Sequence, residues 1–332
     1  MRAVVVNAFG PIHSHKVEEV PDPELGPDDV LIDVHAAGVN FSDTLIIQGR
    51  YQLRPNLPFV PGRDAAGVVA AVGAGVTRCR PGDRVMALVP LGAYAERLAA
   101  PQSRCFVMPD SMGFATGAAM YNTYAIAYVA AVMRGRVKAG ETVLVTGASG
   151  GVGIACVEIA KAKGATVIAA VRTIDNGEFT VNHGADHWID VSGPDLKDGL
   201  RRLTSEKTGG KDINIVLDPV GGDVFDAALR ALGHGGRLVS IGYAAGRIPE
   251  AKANYLLLKN IAVMGAYLDP HFTAEPEQME RAMREILAMY DQGEIRPEIM
   301  EIYQLENFST ALTRFADQGV QGKLVLTTGR ET

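Results

Sequence analysis

Residues 142–172 read TVLVTGASGGVGIACVEIAKAKGATVIAAVR. An apolar run at 143–145 leads into a glycine-rich turn, GASGGVG at 147–153. An amphipathic helix is predicted from about 151 to 163, and a second apolar run covers 166–171. Strand, helix and parallel strand form a βαβ unit, and in such units the turn after the first strand is the place for a pyrophosphate. Glycines let the backbone approach the phosphates, and the helix behind them presents unpaired N–H groups and the positive end of its dipole. The usual pattern is G-x-G-x-x-G. Here Ala148 fills the first slot, ahead of Gly150 and Gly153, and alanine suits the turn as long as its φ stays negative.

The residue about 20 positions past the turn separates the two nicotinamide dinucleotides. An acidic residue there accepts from a ribose 2′-hydroxyl. This chain has Arg172 followed by Thr173. Arginine leaves a 2′-hydroxyl without its acceptor but pairs with a 2′-phosphate through charge-assisted hydrogen bonds. NADPH is therefore expected over NADH, with Asp175 the nearby residue that would argue the other way.

Around this unit the chain is organised in three stretches. Residues 1–120 hold short strand candidates (3–6, 30–36, 66–72, 84–88) separated by Pro/Gly punctuation, with no sustained helical period. They read as an antiparallel, β-rich, partly barrel-like domain. Residues 121–265 alternate strands and helices, with strands at 213–217, 237–241 and 261–264 and a helix at 224–232, the pattern of a doubly wound parallel α/β sheet. Residues 266–332 are expected to return to the first domain through a helix bearing Met279, Met283, Ile286, Leu287 and Tyr290. A second helix near 308–317 and a strand at 323–326 follow, and that strand needs a sheet partner.

With 332 residues there is room for two domains, and 47% hydrophobic with 21% charged residues is a globular balance. The net charge of −6 and the lack of a basic run argue against a nucleic-acid partner. Three scattered cysteines, Cys79, Cys105 and Cys156, suit a reducing compartment. No C-x-x-C pair or H-E-x-x-H motif offers a zinc site, and His183 and His187 read as a loop pair. No signal peptide is visible. The uncharged stretch 114–133 contains Thr116, Asn122 and Thr123, so it reads as a buried helix rather than a membrane span. A cytoplasmic protein is expected.

Several segments together resemble the medium-chain dehydrogenase/reductase superfamily, and within it the zinc-free quinone oxidoreductase branch of zeta-crystallin-like enzymes. They are AAGVNFSDTLIIQGRYQLRPNLPFVPGRDAAGVV (36–69), GASGGVG (147–153), VLDPVGGD (216–223), GGRLVSIG (235–242), LLLKN (256–260) and GKLVLT (322–327), in the family's order over nearly the whole chain. The resemblance implies a GroES-like substrate domain split around a Rossmann domain, with the active site in the cleft between them. Zinc-dependent relatives carry cysteine where this chain has Asn40 in GVNFSD, and histidine where it has Arg63 in GRD. The span between Cys105 and Cys156, where their third ligand falls, has no cysteine. Without that Lewis acid, reduction of an already activated acceptor is favoured over alcohol oxidation.

The implied activity is NADPH-dependent reduction of quinones or related α,β-unsaturated carbonyls. The alternatives are an enoyl-thioester reductase, for which no basic patch is evident, and an NADPH-binding structural or RNA-binding protein of the crystallin type. Tyr51 in QGRYQ lines up with a donor tyrosine of related enoyl-thioester reductases, the bland alternative being a packing tyrosine. Asn40 is placed to donate to substrate or to the cofactor ribose, and Asp43 to orient the loop. Arg63 is a cation at the old metal slot, there to pair with Asp64 or to attract an anionic substrate.

For the cofactor, the resemblance assigns Thr123 to the nicotinamide and the backbone of Ser149, Gly150, Gly151, Val152 and Gly153 to the pyrophosphate. Val220, Ile241, Gly242 and Tyr243 sit at strand ends, and Ala266 and Tyr267 close over the nicotinamide. Lys323 reaches the cofactor from the tail, unless it is simply a surface lysine. Asp190 departs from the family, which often has a tyrosine near the 2′-phosphate there, and an inward carboxylate would repel that group. Relatives pair through Rossmann edge strands, so a homodimer through residues 261–266 is expected.

Overall fold

The computed structural model describes residues 1–52, 54–193, 196–315 and 319–330. It divides into two compact units, Met1–Asn122 with Pro297–Thr332, and Thr123–Arg296.

In the first unit β1 (Arg2–Val5) and β2 (Lys16–Glu19) pair antiparallel. Then come β3 (Asp29–Val39), α1 (Phe41–Ile47), β4 (Asp64–Val72), β5 (Arg84–Leu88), β6 (Arg97–Pro101), β7 (Cys105–Val107) and the start of α2 (Phe114–Tyr128). The expectation of no helix in this stretch missed α1. Its signal was present: Asn40 stands at the N-cap and Asp43 three residues on, and the Asp43 carboxylate accepts the Asn40 N–H at 2.9 Å.

The second unit continues α2 through a π-helical turn at Val129–Arg134. It then alternates β8 (Thr142–Thr146), α3 (Gly151–Ala162), β9 (Thr166–Val171), α4 (Ile174–Asn182), β10 (His187–Asp190), α5 (Leu196–Thr208), β11 (Ile213–Asp218), α6 (Gly222–Ala231), β12 (Leu232–Ser240), α7 (Ala253–Lys259) and β13 (Ala262–Gly265). The six strands form a parallel sheet in the order β10-β9-β8-β11-β12-β13. All five residues of β8 are buried, as a strand covered by helices on both faces requires. Each fully buried Val, Leu or Ile contributes about 1.5–3 kcal/mol. Of the expected loop pair, His183 lies in the turn that ends α4, where Gly184 at φ +100° stops the helix, whereas His187 opens β10.

The chain rejoins the first unit at Pro297, later than the expected 266. Two more helices, α8 (Asp269–Ala274) and α9 (Pro276–Asp291), stay with the parallel sheet. The apolar face of α9 (Met279, Ala282, Met283, Ile286, Met289) is buried, and Glu285 holds Tyr128 and Lys163 of the same unit. Apolar periodicity announced the helix but not which core its face would cover. Returning to the first unit, β14 (Ile299–Gln304), α10 (Phe308–Thr313) and β15 (Lys323–Thr327) complete it. Asp317, the expected end of that last helix, lies outside the described residues. The terminal strand finds its partners: β15 runs antiparallel to β3 and parallel to β14 within a sheet that also holds β4 to β7.

Candidate active site and cofactor site

The first unit assembles a buried polar network at the head of α1. Antiparallel pairing sets Leu324 of β15 opposite Val39 of β3, which brings Lys323 beside Asn40. The Lys323 ammonium donates to the Val39 carbonyl at 2.8 Å and to Asn40 Oδ1 at 2.7 Å. Asn40 Nδ2 donates to Asp64 Oδ2 at 2.6 Å, and Asn122 donates its N–H to Asp64 Oδ1 at 2.9 Å and its Nδ2–H to Asn40 Oδ1 at 3.2 Å. Both ends of the Asn40 amide are thus held by the protein itself. Lys323 is not the surface lysine that would have been the simpler view: it is 5% exposed and turned into its own unit.

Asp43 and Tyr94 form the second half of the network. The Tyr94 hydroxyl donates to Asp43 Oδ2 at 2.7 Å, the oxygen that also takes the Asn40 N–H, whereas Oδ1 is buried with no partner among the described residues. Burial pushes the Asp43 carboxyl up to about 6, against the pull of Tyr94 and Asn40. Burial likewise raises Asp64, against Lys323 and Asn40, and lowers Lys323, against Asp64 and Asp43. Arg63 is also buried, its Nε directed at the Val89 carbonyl at 3.4 Å, and its charge favours ionised Asp64. Tyr51, four residues past the end of α1, is half-buried and packs against the apolar core of the unit.

A zinc ion does not fit this donor set. The slots of Asn40 and Arg63 offer a carboxamide and a guanidinium in place of thiolate and imidazole, and a second cation, Lys323, already sits among the carboxylates. Among the described residues no cluster of three His, Cys, Asp or Glu side chains could hold a metal.

In the second unit the expected cofactor residues gather at the C-terminal ends of the parallel strands. Gly147 takes the left-handed conformation, φ +55°, so the turn does not ask it of Ala148. A Cβ on Gly153 would lie 2.1 Å from the Gly147 carbonyl oxygen, so only glycine lets α3 approach the strand this closely. Gly150 is different: at φ −77° its Cβ would meet nothing closer than 3.6 Å, so neither backbone nor packing demands glycine there. Gly151, Val152 and Gly153 form the first turn of α3, whose N–H groups have no intrahelical carbonyls.

Asp218, which sequence reasoning missed although it quoted the DPVGG segment, ties the neighbouring loops to this turn. Its buried carboxylate accepts from the Thr146 hydroxyl and from the N–H groups of Val220 (3.1 Å) and Gly221, and burial raises its pKa against those bonds. Its carbonyl accepts the Ile241 N–H at 2.8 Å and the Gly242 N–H at 3.4 Å. Val220 Cγ2 lies within 2.7 Å of where a Gly147 Cβ would be. Glycine turn, Val220, Ile241 and Gly242 therefore form one surface, with Tyr243 exposed beside them. Ala266, buried, donates its N–H to the Ser240 carbonyl at 2.9 Å, while Tyr267 is 56% exposed. Thr123 is buried in α2.

Arg172 and Thr173 follow β9, which the Ala148 N–H links to the turn through the Ala170 carbonyl at 3.4 Å. Arg172 is exposed and engages no other described residue by hydrogen bond or ion pair. Thr173 is the N-cap of α4 and accepts from the Asn176 N–H at 3.2 Å. Asp190 is exposed, and its Oδ1 accepts the Ser192 N–H at 2.8 Å. Asn122 and Tyr94 carried no local signal for their part in the network, and Asp64 was expected only as a partner of Arg63.

The zinc-binding dehydrogenase family matches residues 151–288, and the alcohol dehydrogenase GroES-like domain family matches residues 26–134. The chain is 34% identical to a rat quinone oxidoreductase-like protein 2, over 93% of this chain and 88% of that one. Among solved structures it is similar to an Escherichia coli quinone oxidoreductase complexed with NADPH (28% identity, TM-score 0.89, covering 98% of this chain and 100% of the other). It is also similar to a mycobacterial protein complexed with NADPH (30% identity, TM-score 0.91, 98% and 99%). The chain therefore belongs to the medium-chain dehydrogenase/reductase superfamily, in its zinc-free quinone oxidoreductase branch. The class it defines is that of an oxidoreductase with a pyridine-nucleotide domain.

Proposed function

We propose that the protein reduces quinones or related α,β-unsaturated carbonyls with NADPH and without zinc. The observation that supports this is the buried Lys323–Asn40–Asp64 network, which sets the chain's own cation beside Asn40, the slot where the resemblance places a metal ligand in zinc-using relatives. The first-turn N–H groups of α3 and the unneeded glycine at 150 support a pyrophosphate against that loop. Arg172, exposed and uncommitted, supports a 2′-phosphate, and Asp190, held by its own loop, does not oppose one.

Bound NADPH would supply a hydride to the electron-poor carbon of the acceptor. The chain's own task is then to orient the acceptor and give a proton to its oxygen, for which the Tyr51 hydroxyl is the proposed donor, reloaded from solvent. Asn40 acts by position, since its amide is held within the network, and Arg63 supplies a neighbouring positive charge. Spectrophotometric assays with NADPH against quinones, enones and enoyl-CoAs, in chelator, test the proposal. Turnover of quinones or enones is expected, and Tyr51→Phe should lower kcat/KM by about 100-fold. A requirement for added zinc, turnover of enoyl-CoA alone, or unchanged Tyr51→Phe kinetics would each refute the corresponding part.

A homodimer in the cytoplasm is part of the same proposal. Strand β13 is the edge of the parallel sheet, and Leu257 and Leu258 on the preceding α7 are 78% and 76% exposed, which supports a covered edge. No helix among the described residues is long and apolar enough to cross a membrane. A monomer by light scattering would contradict the dimer.

A further inference from the structure

Glu158 lies about two turns along α3 from the glycine turn, among Ile154, Val157 and Ile159 on a helix whose core-facing positions are otherwise apolar. It is 4% exposed, a place where a carboxylate needs hydrogen-bond partners that a leucine would not. Three segments converge on it. The Tyr124 hydroxyl donates to Oε2 at 2.6 Å, the Arg296 backbone N–H donates to the same oxygen at 2.8 Å, and His183 Nδ1 lies 2.7 Å from Oε1. A carboxylate only accepts, so Nδ1 carries the hydrogen of that last bond. The His183 ring also packs against Phe179, 4.6 Å between centroids.

Two of the three donors, and Glu158 itself, belong to elements that bear part of the proposed cofactor site; the third, Arg296, only fills the carboxylate. Tyr124 follows Thr123 on α2. Glu158 itself is on α3, whose first turn is Gly151, Val152 and Gly153. His183 is the C-cap of α4, whose N-cap is Thr173, next to Arg172. We propose that Glu158 is the positioning residue of the nucleotide site, holding α2, α3 and α4, and with them Thr123, the pyrophosphate turn and the cap next to Arg172, in one register through Tyr124 and His183. The inference rests on the NADPH reading above. It assigns to a buried carboxylate remote from the ligand the spacing between the groups that read its phosphates and its nicotinamide end.

The test is fluorescence titration of NADPH and NADH into wild type, Glu158→Gln, Glu158→Leu and His183→Phe, with thermal melts alongside. Glu158→Gln keeps an acceptor for Tyr124 and Arg296 and should bind NADPH within about threefold of wild type. Glu158→Leu should bind NADPH at least about tenfold more weakly. His183→Phe keeps the ring contact but frees α4, so it should lower the NADPH-over-NADH preference about fivefold while NADH affinity holds. A folded Glu158→Leu with wild-type affinities, or an equal loss for both nucleotides in His183→Phe, would overturn the proposal. If Glu158→Leu does not fold, His183→Phe and Tyr124→Phe, each lacking one donor, decide it by the same criteria. A wild type that binds neither nucleotide would instead sink the NADPH reading itself, and this inference with it.

Discussion

The two sites of this chain handle polarity in opposite ways. The turn at the head of α3 offers backbone N–H groups with no side-chain charge of its own, and its fold depends on the absence of side chains at Gly147 and Gly153, while Gly150 leaves open space beside it. The network at the head of α1 is crowded with charge, Lys323, Arg63, Asp43 and Asp64, all buried and all but one carboxylate oxygen engaged. A backbone site tolerates little change of shape and is nearly indifferent to pH. A site of buried ions does not tolerate loss of a partner, and its stability follows the protonation of its groups.

That contrast can be broken at several points. Lys323→Met should have the largest effect, leaving Asp64 buried without its ammonium, at a cost of about 3–5 kcal/mol in urea denaturation. Adding Asp64→Asn should recover part of the loss, and a double mutant no better than the single would deny that the two charges interact.

Asp43→Asn should act in the other direction. The folded chain holds the Asp43 proton up to about pH 6 against an ordinary value of 3.8, so it binds that proton more tightly than the unfolded chain. Stability contributed by the group is present at low pH and is lost as pH rises from about 4 to about 6, by about 3 kcal/mol. The asparagine variant lacks this titration and should be the more stable protein at pH 7.5, while the difference closes toward pH 4. Parallel pH profiles for the two proteins would show that burial does not set the Asp43 titration.

On the backbone side, Gly153→Ala forces a Cβ against the Gly147 carbonyl and should cost about 2 kcal/mol of stability and more than tenfold in NADPH affinity. Normal nucleotide binding by that variant would mean that the turn is not the phosphate site. The smallest expected effect is Arg172→Ala, about tenfold in NADPH affinity by titration with NADH unchanged, because the residue is solvated. Equal weakening of both nucleotides would remove Arg172 as the reader of a 2′-phosphate.

Much of the second unit was legible because its signals are local. Residues 142–172 spell strand, turn, helix and strand in register, and β8, α3 and β9 begin and end within a residue or so of where the apolar runs and glycines put them. Helix α9 shows the limit: its apolar face was plain, but whether that face would cover the first core or the second was not written in its period. The short α1 was overlooked despite its cap residues, since a seven-residue helix shows too little period to stand out from punctuation.

By itself the sequence determined the strand–turn–helix–strand unit at 142–172, the parallel sheet around it and the absence of cysteine and histidine at residues 40 and 63, because each is a property of neighbours along the chain. Only the tertiary structure decided what surrounds those slots. Pairing of β15 with β3 sets Leu324 opposite Val39, and that register alone delivers an ammonium from residue 323 to the amide of residue 40. The same folding placed Asp64, Tyr94 and Asn122 around it, residues with no spacing in common. Burial then set their charges, since desolvation depends on what surrounds a group in space and not on what precedes it in the chain.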